Sequence, residues 1–153
     1  MKKLLSVALC VSSLYATNAF ANCECTSADD CYQKAYDPYG YCLGECGKQF
    51  CAKACDFKNV NACFDLANHY IETIPGNATA EEEQRILALS LEYSKKACEL
   101  NDAMSCNSVA LAYKNGDGVV VDNNEAIKYF DKACKLNYNS GCTNLKELKD
   151  SMK

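Results

Sequence analysis

The sequence predicts an all-α protein, an α/α solenoid of helix-pair repeats that are stapled by disulfide bonds. Three observations predict it: apolar residues recur with helical spacing, cysteine pairs recur eight positions apart, and cysteines are as dense as in disulfide scaffolds. The 153 residues fit one domain of ordinary size. A hydrophobic content of 49% argues against wholesale disorder.

Residues 1–21 have the pattern of a secretory signal peptide. Two lysines open the chain, residues 4–15 form a short apolar run, and residues 19–21 (Ala-Phe-Ala) match the A-x-A cleavage pattern. The apolar run is too short and too interrupted to span a membrane as a helix. We therefore expect cleavage after Ala21, a periplasmic or secreted bacterial protein, and no membrane span in the mature chain.

The cysteine content predicts a protein held together by disulfides. One of the 13 cysteines, Cys10, lies in the leader, so twelve remain in the mature chain. They make up about 9% of its residues, and an even number in an exported chain predicts six bridges. The same cysteines in a cytosolic protein would suggest zinc. Because the leader favours export, we expect no metal and no cofactor.

The spacing of the cysteines predicts where most bridges lie. Two cysteines eight positions apart occur four times along the chain. Within one straight helix such residues lie about 12 Å apart and cannot bond, whereas across a turn between antiparallel helices they can meet. Each pair is therefore expected to join the second helix of one repeat to the first helix of the next. The expected pairs are Cys23–Cys31, Cys55–Cys63, Cys98–Cys106 and Cys134–Cys142.

Four further cysteines, Cys25, Cys42, Cys46 and Cys51, are also expected to form disulfides. Four cysteines allow three connectivities, and the sequence does not choose among them. Cys42 and Cys46, like Cys51 and Cys55, are four positions apart on a predicted helix. Such neighbours have Cβ atoms about 5–6 Å apart, so each cysteine should find its partner elsewhere.

Residues 101–136 show the repeat most clearly. The apolar spacing predicts a first helix, helix A, over roughly Ala103–Lys114. The sequence Asn-Gly-Asp-Gly at 115–118 should end it, since glycine tolerates a positive φ just beyond a helix. The second helix, helix B, should begin near Asp122, whose spacing to Glu125 is that of a capping box.

The preceding repeat carries seven extra residues, which are expected in the loop between its two helices. Pro75 must stop helix A there, because proline lacks the amide hydrogen and fixes φ. Thr79 and Glu82 can then cap a long helix B. The predicted organisation is a signal peptide (1–21), a degenerate cysteine-rich N-terminal repeat (22–57), a repeat with a loop insertion (58–100), a regular repeat (101–136) and a polar C-terminal capping helix (137–153).

Residues 109–119 read Val-Ala-Leu-Ala-Tyr-Lys-Asn-Gly-Asp-Gly-Val, and Asp122 and the pattern Tyr-Phe-x-Lys-Ala at 129–133 follow. This stretch resembles a Sel1-like repeat, a TPR-like helix pair. The 36-residue period with one C-x7-C pair per repeat resembles the Helicobacter cysteine-rich protein family, over roughly residues 55–145. The resemblance implies an exported, disulfide-stapled solenoid.

The resemblance also implies a function, a binding or protein-interaction module with a peptide or protein ligand on its concave face. A β-lactam or a peptidoglycan-related ligand is a further candidate partner. Nucleic acid is not expected, because the net charge is −4 and no basic stripe is visible. Carried over from the repeat, the concave face would present Asn61, Phe64, Asn68, Met104, Asn107, Leu111, Thr143 and Lys146.

The alternative that the resemblance carries is a weak β-lactamase, a hydrolase, or a penicillin-binding protein. The S-x-x-K and K-T-G motifs of serine enzymes of this kind are absent from the sequence. Thr143 and Lys146 have the right spacing but align with the start of the capping helix. A zinc enzyme needs several histidines, and the chain has only His69, with Asp65 and Glu72 nearby. Catalytic residues are therefore unknown, and the alternative depends on resemblance alone.

Overall fold

The structure is a computed structural model that describes residues 25–35, 42 and 44–153. The predicted signal peptide, its cleavage site, Cys10 and Cys23 lie outside these residues. Within the described ranges every regular element is an α-helix, which confirms the predicted all-α repeat architecture. The helices are α1 (Ala28–Ala35), α2 (Gly44–Asp56), α3 (Val60–Glu72), α4 (Ala80–Glu99), α5 (Ala103–Asn115), α6 (Asn123–Lys135) and α7 (Asn139–Ser151).

Neighbouring helices in the chain are also neighbours in space. The most extensive packing joins α3 to α4 and α5 to α6, which are the two complete helix pairs of the solenoid. The helices α2, α4 and α6 are the B helices, and α3, α5 and α7 are the A helices that follow them. Each buries small residues and cysteines along one stripe, so the core is a row of small clusters rather than one centre.

The turn from each helix B to the next helix A has the same backbone geometry three times. Lys58, Asn101 and Asn137 each stand three residues after a cysteine, with φ of 66°, 68° and 65°. In the first turn, the Lys58 amide donates to the Cys55 carbonyl at 2.8 Å, and the same bond recurs at the other two turns at 2.9 Å. A left-handed residue therefore reverses the chain within four residues and lets the disulfide cross the turn.

The disulfides follow this geometry in the repeats. Three bridges lie at the B–A turns, with Cα atoms 4.6–4.7 Å apart. Cys42 bonds Cys51, and Cys46 is also in a disulfide. The bridges at the turns are Cys55–Cys63, Cys98–Cys106 and Cys134–Cys142.

The expected Cys23–Cys31 bridge is wrong, because Cys31 is bonded to Cys25. Cys31 lies in the first half of α1, and the residues just before α1 fold back onto it. The Thr26 amide donates to the Asp30 carboxylate at 2.8 Å, which holds the preceding residue, Cys25, over the helix. The bridge therefore closes a turn at the start of one helix and does not join two helices.

The expected loop insertion in the first complete repeat is wrong, because its seven extra residues lie in helix B. α4 has 20 residues and α6 has 13, whereas the loops 73–79 and 116–122 have seven residues each.

The helix ends agree with the predicted caps. Thr79 and Glu82 form the predicted capping box at α4, since the Thr79 hydroxyl accepts from the Glu82 amide at 3.2 Å and the Glu82 carboxylate accepts from the Thr79 amide at 2.9 Å. At α6, the Asp122 carboxylate caps through the amides of Asn124 and Glu125. Gly116 ends α5 with φ of 87°. Among the described helices, none combines the length and the apolar character that crossing a membrane requires.

Candidate binding groove

A groove opens between the two central A helices. α3 and α5 pack on α4 rather than on each other, and the gap between them holds a pocket of about 230 Å³. We use the name groove for this pocket together with the helix surfaces that line it. Its apolar lining consists of Ile71, Leu87, Leu91, Leu111 and Ala112, and its polar lining consists of Ser90, Ser94, Ser108, Asn115 and Asp117.

Each of the two interfaces next to this gap, α1–α3 and α5–α7, is held by a side-chain hydrogen bond. Between α1 and α3, the Tyr32 hydroxyl donates to the Asp65 carboxylate at 3.3 Å. Between α5 and α7, the Asn144 amide donates to the Asn107 side-chain carbonyl at 2.9 Å. Both bonds join equivalent positions. One partner directly follows the second cysteine of a bridge, as Tyr32 follows Cys31 and Asn107 follows Cys106. The other partner lies two positions after the second cysteine of the next repeat, as Asp65 does after Cys63 and Asn144 after Cys142.

The equivalent positions at the α3–α5 interface are Phe64 and Ser108, and this pair cannot form such a bond, because phenylalanine has no polar group. The Ser108 hydroxyl instead donates to the carbonyl of Met104 in its own helix at 3.2 Å. The interface thus lacks the tie found at its two neighbours, and this is where the groove opens.

The floor of the groove is held by contacts of α4 with both neighbours. The buried Ser90 hydroxyl donates to the Ala67 carbonyl of α3 at 2.9 Å. The loop after α5 lies on α4 from the other side, where the Gly118 amide donates to the Gln84 side-chain carbonyl at 2.9 Å. A Cβ on Gly118 would lie 2.3 Å from the Ala88 backbone nitrogen, so only glycine allows this approach. The contact fixes the loop that carries Asp117.

Of the described residues that line the groove, Asp117 is the single charged one. Its carboxylate accepts a hydrogen bond from the Asn115 side-chain amide at 3.2 Å. Among the described residues it forms no ion pair, in contrast to Asp56, Asp131 and Asp150, which pair with lysines. The negative charge of this carboxylate is therefore not compensated inside the groove.

The residues predicted for the concave face are not brought together as a single site. Leu111 lines the groove. Asn107 is buried and engaged by Asn144, so its side-chain carbonyl is already occupied. Asn61, Met104, Thr143 and Lys146 are exposed, and Phe64 and Asn68 are half-buried.

Sequence reasoning missed most of the lining. It considered only helix A, whereas helix B supplies the floor through Leu87 and Leu91. It also missed Ile71, which is 49% exposed near the end of α3. The equivalent position in the next repeat is Lys114. The sequence signal that could have identified Ile71 is an apolar residue at a position where the other repeat has a charged one.

The residues weighed for hydrolysis are engaged in helix contacts. The Thr143 hydroxyl donates to the Asn139 carbonyl at 3.2 Å, and Lys146 lies 3.7 Å from the Asp150 carboxylate. His69 is half-buried, and burial together with the charge of Lys48 lowers its pKa, which Glu72 partly opposes. Within the described part of the chain, no group of three or more histidine, cysteine or carboxylate side chains is placed to hold a metal ion.

Comparison with known proteins adds three findings. The family profile "Sel1 repeat" matches residues 87–102 and 103–138. Cytochrome c oxidase assembly factor 7 of Xenopus tropicalis is 32% identical over 84 residues, which are 55% of this chain and 34% of that protein. Assembly factor 7A of Xenopus laevis is 28% identical over 88 residues, which are 57% of this chain and 36% of its own. The chain thus spans about a third of the length of these frog proteins.

Among solved structures, cysteine rich protein B of Helicobacter pylori is similar in both sequence and fold. The two chains are 30% identical, and their structures superpose with a TM-score of 0.52. The alignment covers 65% of this chain and 69% of the Helicobacter protein. At this identity and coverage, the two proteins share both the repeat architecture and the cysteine-rich character.

Proposed function

The chain belongs to the Sel1-repeat proteins of the Helicobacter cysteine-rich type, and we propose that it is a binding module that holds a short segment of another protein in the groove. The observation that carries the proposal is the separation of α3 and α5 over α4. It leaves a mainly apolar pocket open to solvent between elements that are otherwise closely packed. Exposed apolar surface of this kind is typical of binding sites.

The size and lining of the groove suit side chains of a peptide. A pocket of about 230 Å³ has room for one or two aliphatic or aromatic side chains. Burying them against Ile71, Leu87 and Leu111 would contribute roughly 25 cal/mol for each Å² of apolar surface removed from water. The hydroxyls of Ser94 on the floor and Ser108 on the wall can bond the backbone of an extended segment.

The relatives support a binding role. The frog proteins are named as assembly factors for cytochrome c oxidase, a name that describes action on another protein. Sel1 repeats and other stacked helix pairs commonly form extended binding surfaces.

We propose that the protein acts outside the reducing cytosol. At least five disulfides join described cysteines, and such a number persists in oxidising compartments. The leader pattern of residues 1–21 supports export with cleavage after Ala21. Periplasmic or extracellular peptides and proteins are then the candidate partners.

Selection from a displayed library of random dodecapeptides against the oxidised protein tests this function. For an enriched peptide, Ile71→Gln should weaken binding about tenfold, because it removes apolar contact worth more than 1 kcal/mol. Val120→Gln is the matched control, since Val120 is 85% exposed and lies outside the groove. Its affinity should stay within about twofold of the wild type.

Backbone amide shifts in the NMR spectrum locate the bound peptide. We expect the largest shifts at Leu87, Ser108 and Leu111. Shifts confined to other surfaces, or equal losses in both variants, would contradict the groove assignment. Failure to enrich any peptide would contradict the binding function itself.

A further inference from the structure

We propose that the groove selects segments in which a lysine or arginine stands close to an apolar side chain, because one end of the groove is acidic. The inference rests on the proposed function and concerns the chemistry of the ligand. It comes from the placement of three carboxylates, those of Glu72, Glu83 and Asp117, which we call the acidic end.

The topology brings the acidic end together. α3 and α5 are both A helices and run in the same direction, so the end of α3 at Glu72 and the loop after α5 at Asp117 lie at one edge of the solenoid. α4 runs in the opposite direction, as shown by the bond from Ser90 to Ala67 and the shared lining by Leu87 and Ile71. Its first turns therefore lie at that same edge.

Glu83 stands on the floor side of α4. It precedes Leu87 by four residues, and side chains at this spacing lie on one face of a helix, one turn apart. Glu83 and Glu72 are both exposed, and Asp117 is half-buried in the lining.

Three cations lie near the acidic end: Lys114 on the last turn of α5, Arg85 on α4, and Lys48, whose charge acts on His69 one turn before Glu72. Glu81 and Glu82 in the first turn of α4 add two carboxylates, so acidic residues outnumber cations and the balance of formal charge stays negative.

The dipoles of the two A helices act in the same sense. The C-terminal ends of α3 and α5 carry partial negative charge, which favours a cation placed near them, and these two ends outweigh the partial positive charge at the N-terminal end of α4. The first turns of α3 and α5, at the opposite edge, contain no acidic residue. A bound segment would therefore place its cationic residue at the acidic end.

Three fluorescein-labelled dodecapeptides provide the test. They share a central Leu-Phe pair in a Ser/Gly background and differ only in two flanking residues, which are Lys, Gln or Glu. In 20 mM NaCl the lysine peptide should bind about five- to tenfold tighter than the glutamate peptide by fluorescence anisotropy, the size expected for one or two screened ion pairs. In 500 mM NaCl the difference should shrink to about twofold or less.

A variant and its control assign the preference to the acidic end. Asp117→Asn should lower the ratio of the two affinities at least about twofold. Asp131→Asn changes the net charge equally but lies on α6, outside the groove, and should leave the ratio unchanged. Melting temperatures close to wild type for both variants establish that they are folded.

The outcomes separate this inference from the function on which it rests. Equal binding of all three peptides at the groove would overturn the charge selection and leave the binding module standing. Tighter binding of the glutamate peptide, or a lysine preference that Asp117→Asn does not reduce, would also overturn it. If none of the three peptides binds while library peptides do, the proposed Leu-Phe-plus-lysine chemistry is wrong. If neither set binds, the binding function fails as well.

Discussion

The two complete repeats, α3–α4 and α5–α6, have loops of equal length between their helices, 73–79 and 116–122, but the two loops pack differently. In the second repeat, Gly118 brings the loop into backbone contact with α4 of the first repeat. In the first repeat the seven extra residues lengthen helix B, since α4 has 20 residues and α6 has 13, and an added Cβ on Gly76 in the loop would meet nothing within 4 Å. The loop of the second repeat therefore contributes to the inter-repeat packing and to one end of the groove, whereas Gly76 in the loop of the first repeat faces open space.

Elsewhere the repeats are close copies. Tyr70 stacks on Tyr93 with ring centroids 5.9 Å apart, and the equivalent Tyr113 stacks on Tyr129 at 5.8 Å. A shared stack at the same place in each pair fixes how helix A lies on helix B. Differences between the repeats at single equivalent positions can therefore be tested one at a time, with the other repeat as the reference.

The largest expected effect comes from removing a turn disulfide. Cys98→Ala with Cys106→Ala, and Cys134→Ala with Cys142→Ala, each open a bridge of sequence separation 8, so the chain-entropy cost should be about 2–3 kcal/mol in both. Cys98 and Cys106 are buried, whereas Cys134 and Cys142 are half-buried. The first double variant should lose roughly 1 kcal/mol more, because it also leaves a cavity.

Urea unfolding followed by circular dichroism measures both costs. Equal losses would mean that burial of the sulfur atoms adds nothing. A double variant as stable as the wild type would contradict the view that the bridges staple the repeats.

Next in size is the contact that distinguishes the two loops. Gly118→Ala should destabilise the protein by about 2 kcal/mol or more, since a Cβ at a φ of 69° is strained and would also meet the α4 backbone. Gly76→Ala is the matched control and should change the free energy of unfolding by less than about 1 kcal/mol, with stabilisation as the expected sign. Similar losses in the two variants would contradict the difference between the loops.

Much of the fold could be predicted because it is encoded locally. Helical spacing, the Thr79–Glu82 capping box and the glycines that end α5 each involve residues a few positions apart. The partner of Cys31 was predicted wrongly, because the repeat pattern was extended to a segment where the chain folds back on α1 through Thr26 and Asp30. Periodicity indicates an architecture, but it does not reveal where a terminal repeat departs from it.

The groove could not be predicted from one repeat at a time. It depends on how far apart α3 and α5 lie, which reflects the absence of a polar tie between Phe64 and Ser108. The burial of Asn107 likewise depends on Asn144, 37 residues further along the chain. Side-chain pairs between successive repeats decide which interfaces close, and a repeat consensus does not contain them.

A smaller effect is expected at the turns that both repeats share. Lys58 has a φ of 66°, while the equivalent Asn101 has a φ of 68°. Asparagine tolerates this conformation better than lysine, so Lys58→Asn should stabilise the protein by about 0.5 kcal/mol, and Asn101→Lys should destabilise it by a similar amount. Thermal unfolding of the two reciprocal variants checks the signs. Two changes of the same sign would rule out the conformational explanation.

The smallest expected effect concerns His69, whose equivalent in the second repeat is Ala112. Burial lowers the pKa of His69 below its usual value near 6.5, the charge of Lys48 adds to this, and Glu72 opposes it. The unfolded chain therefore takes up a proton at a higher pH than the folded protein does. The contribution of neutral His69 to stability is fully present above the pKa of the unfolded chain and is lost as the pH falls through the pKa of the folded protein.

In His69→Ala, the free energy of unfolding should depend less steeply on pH between about 7 and 5 than in the wild type. Chemical denaturation at a series of pH values measures the two slopes, and a steeper slope in the variant would show that protonation of His69 stabilises the fold.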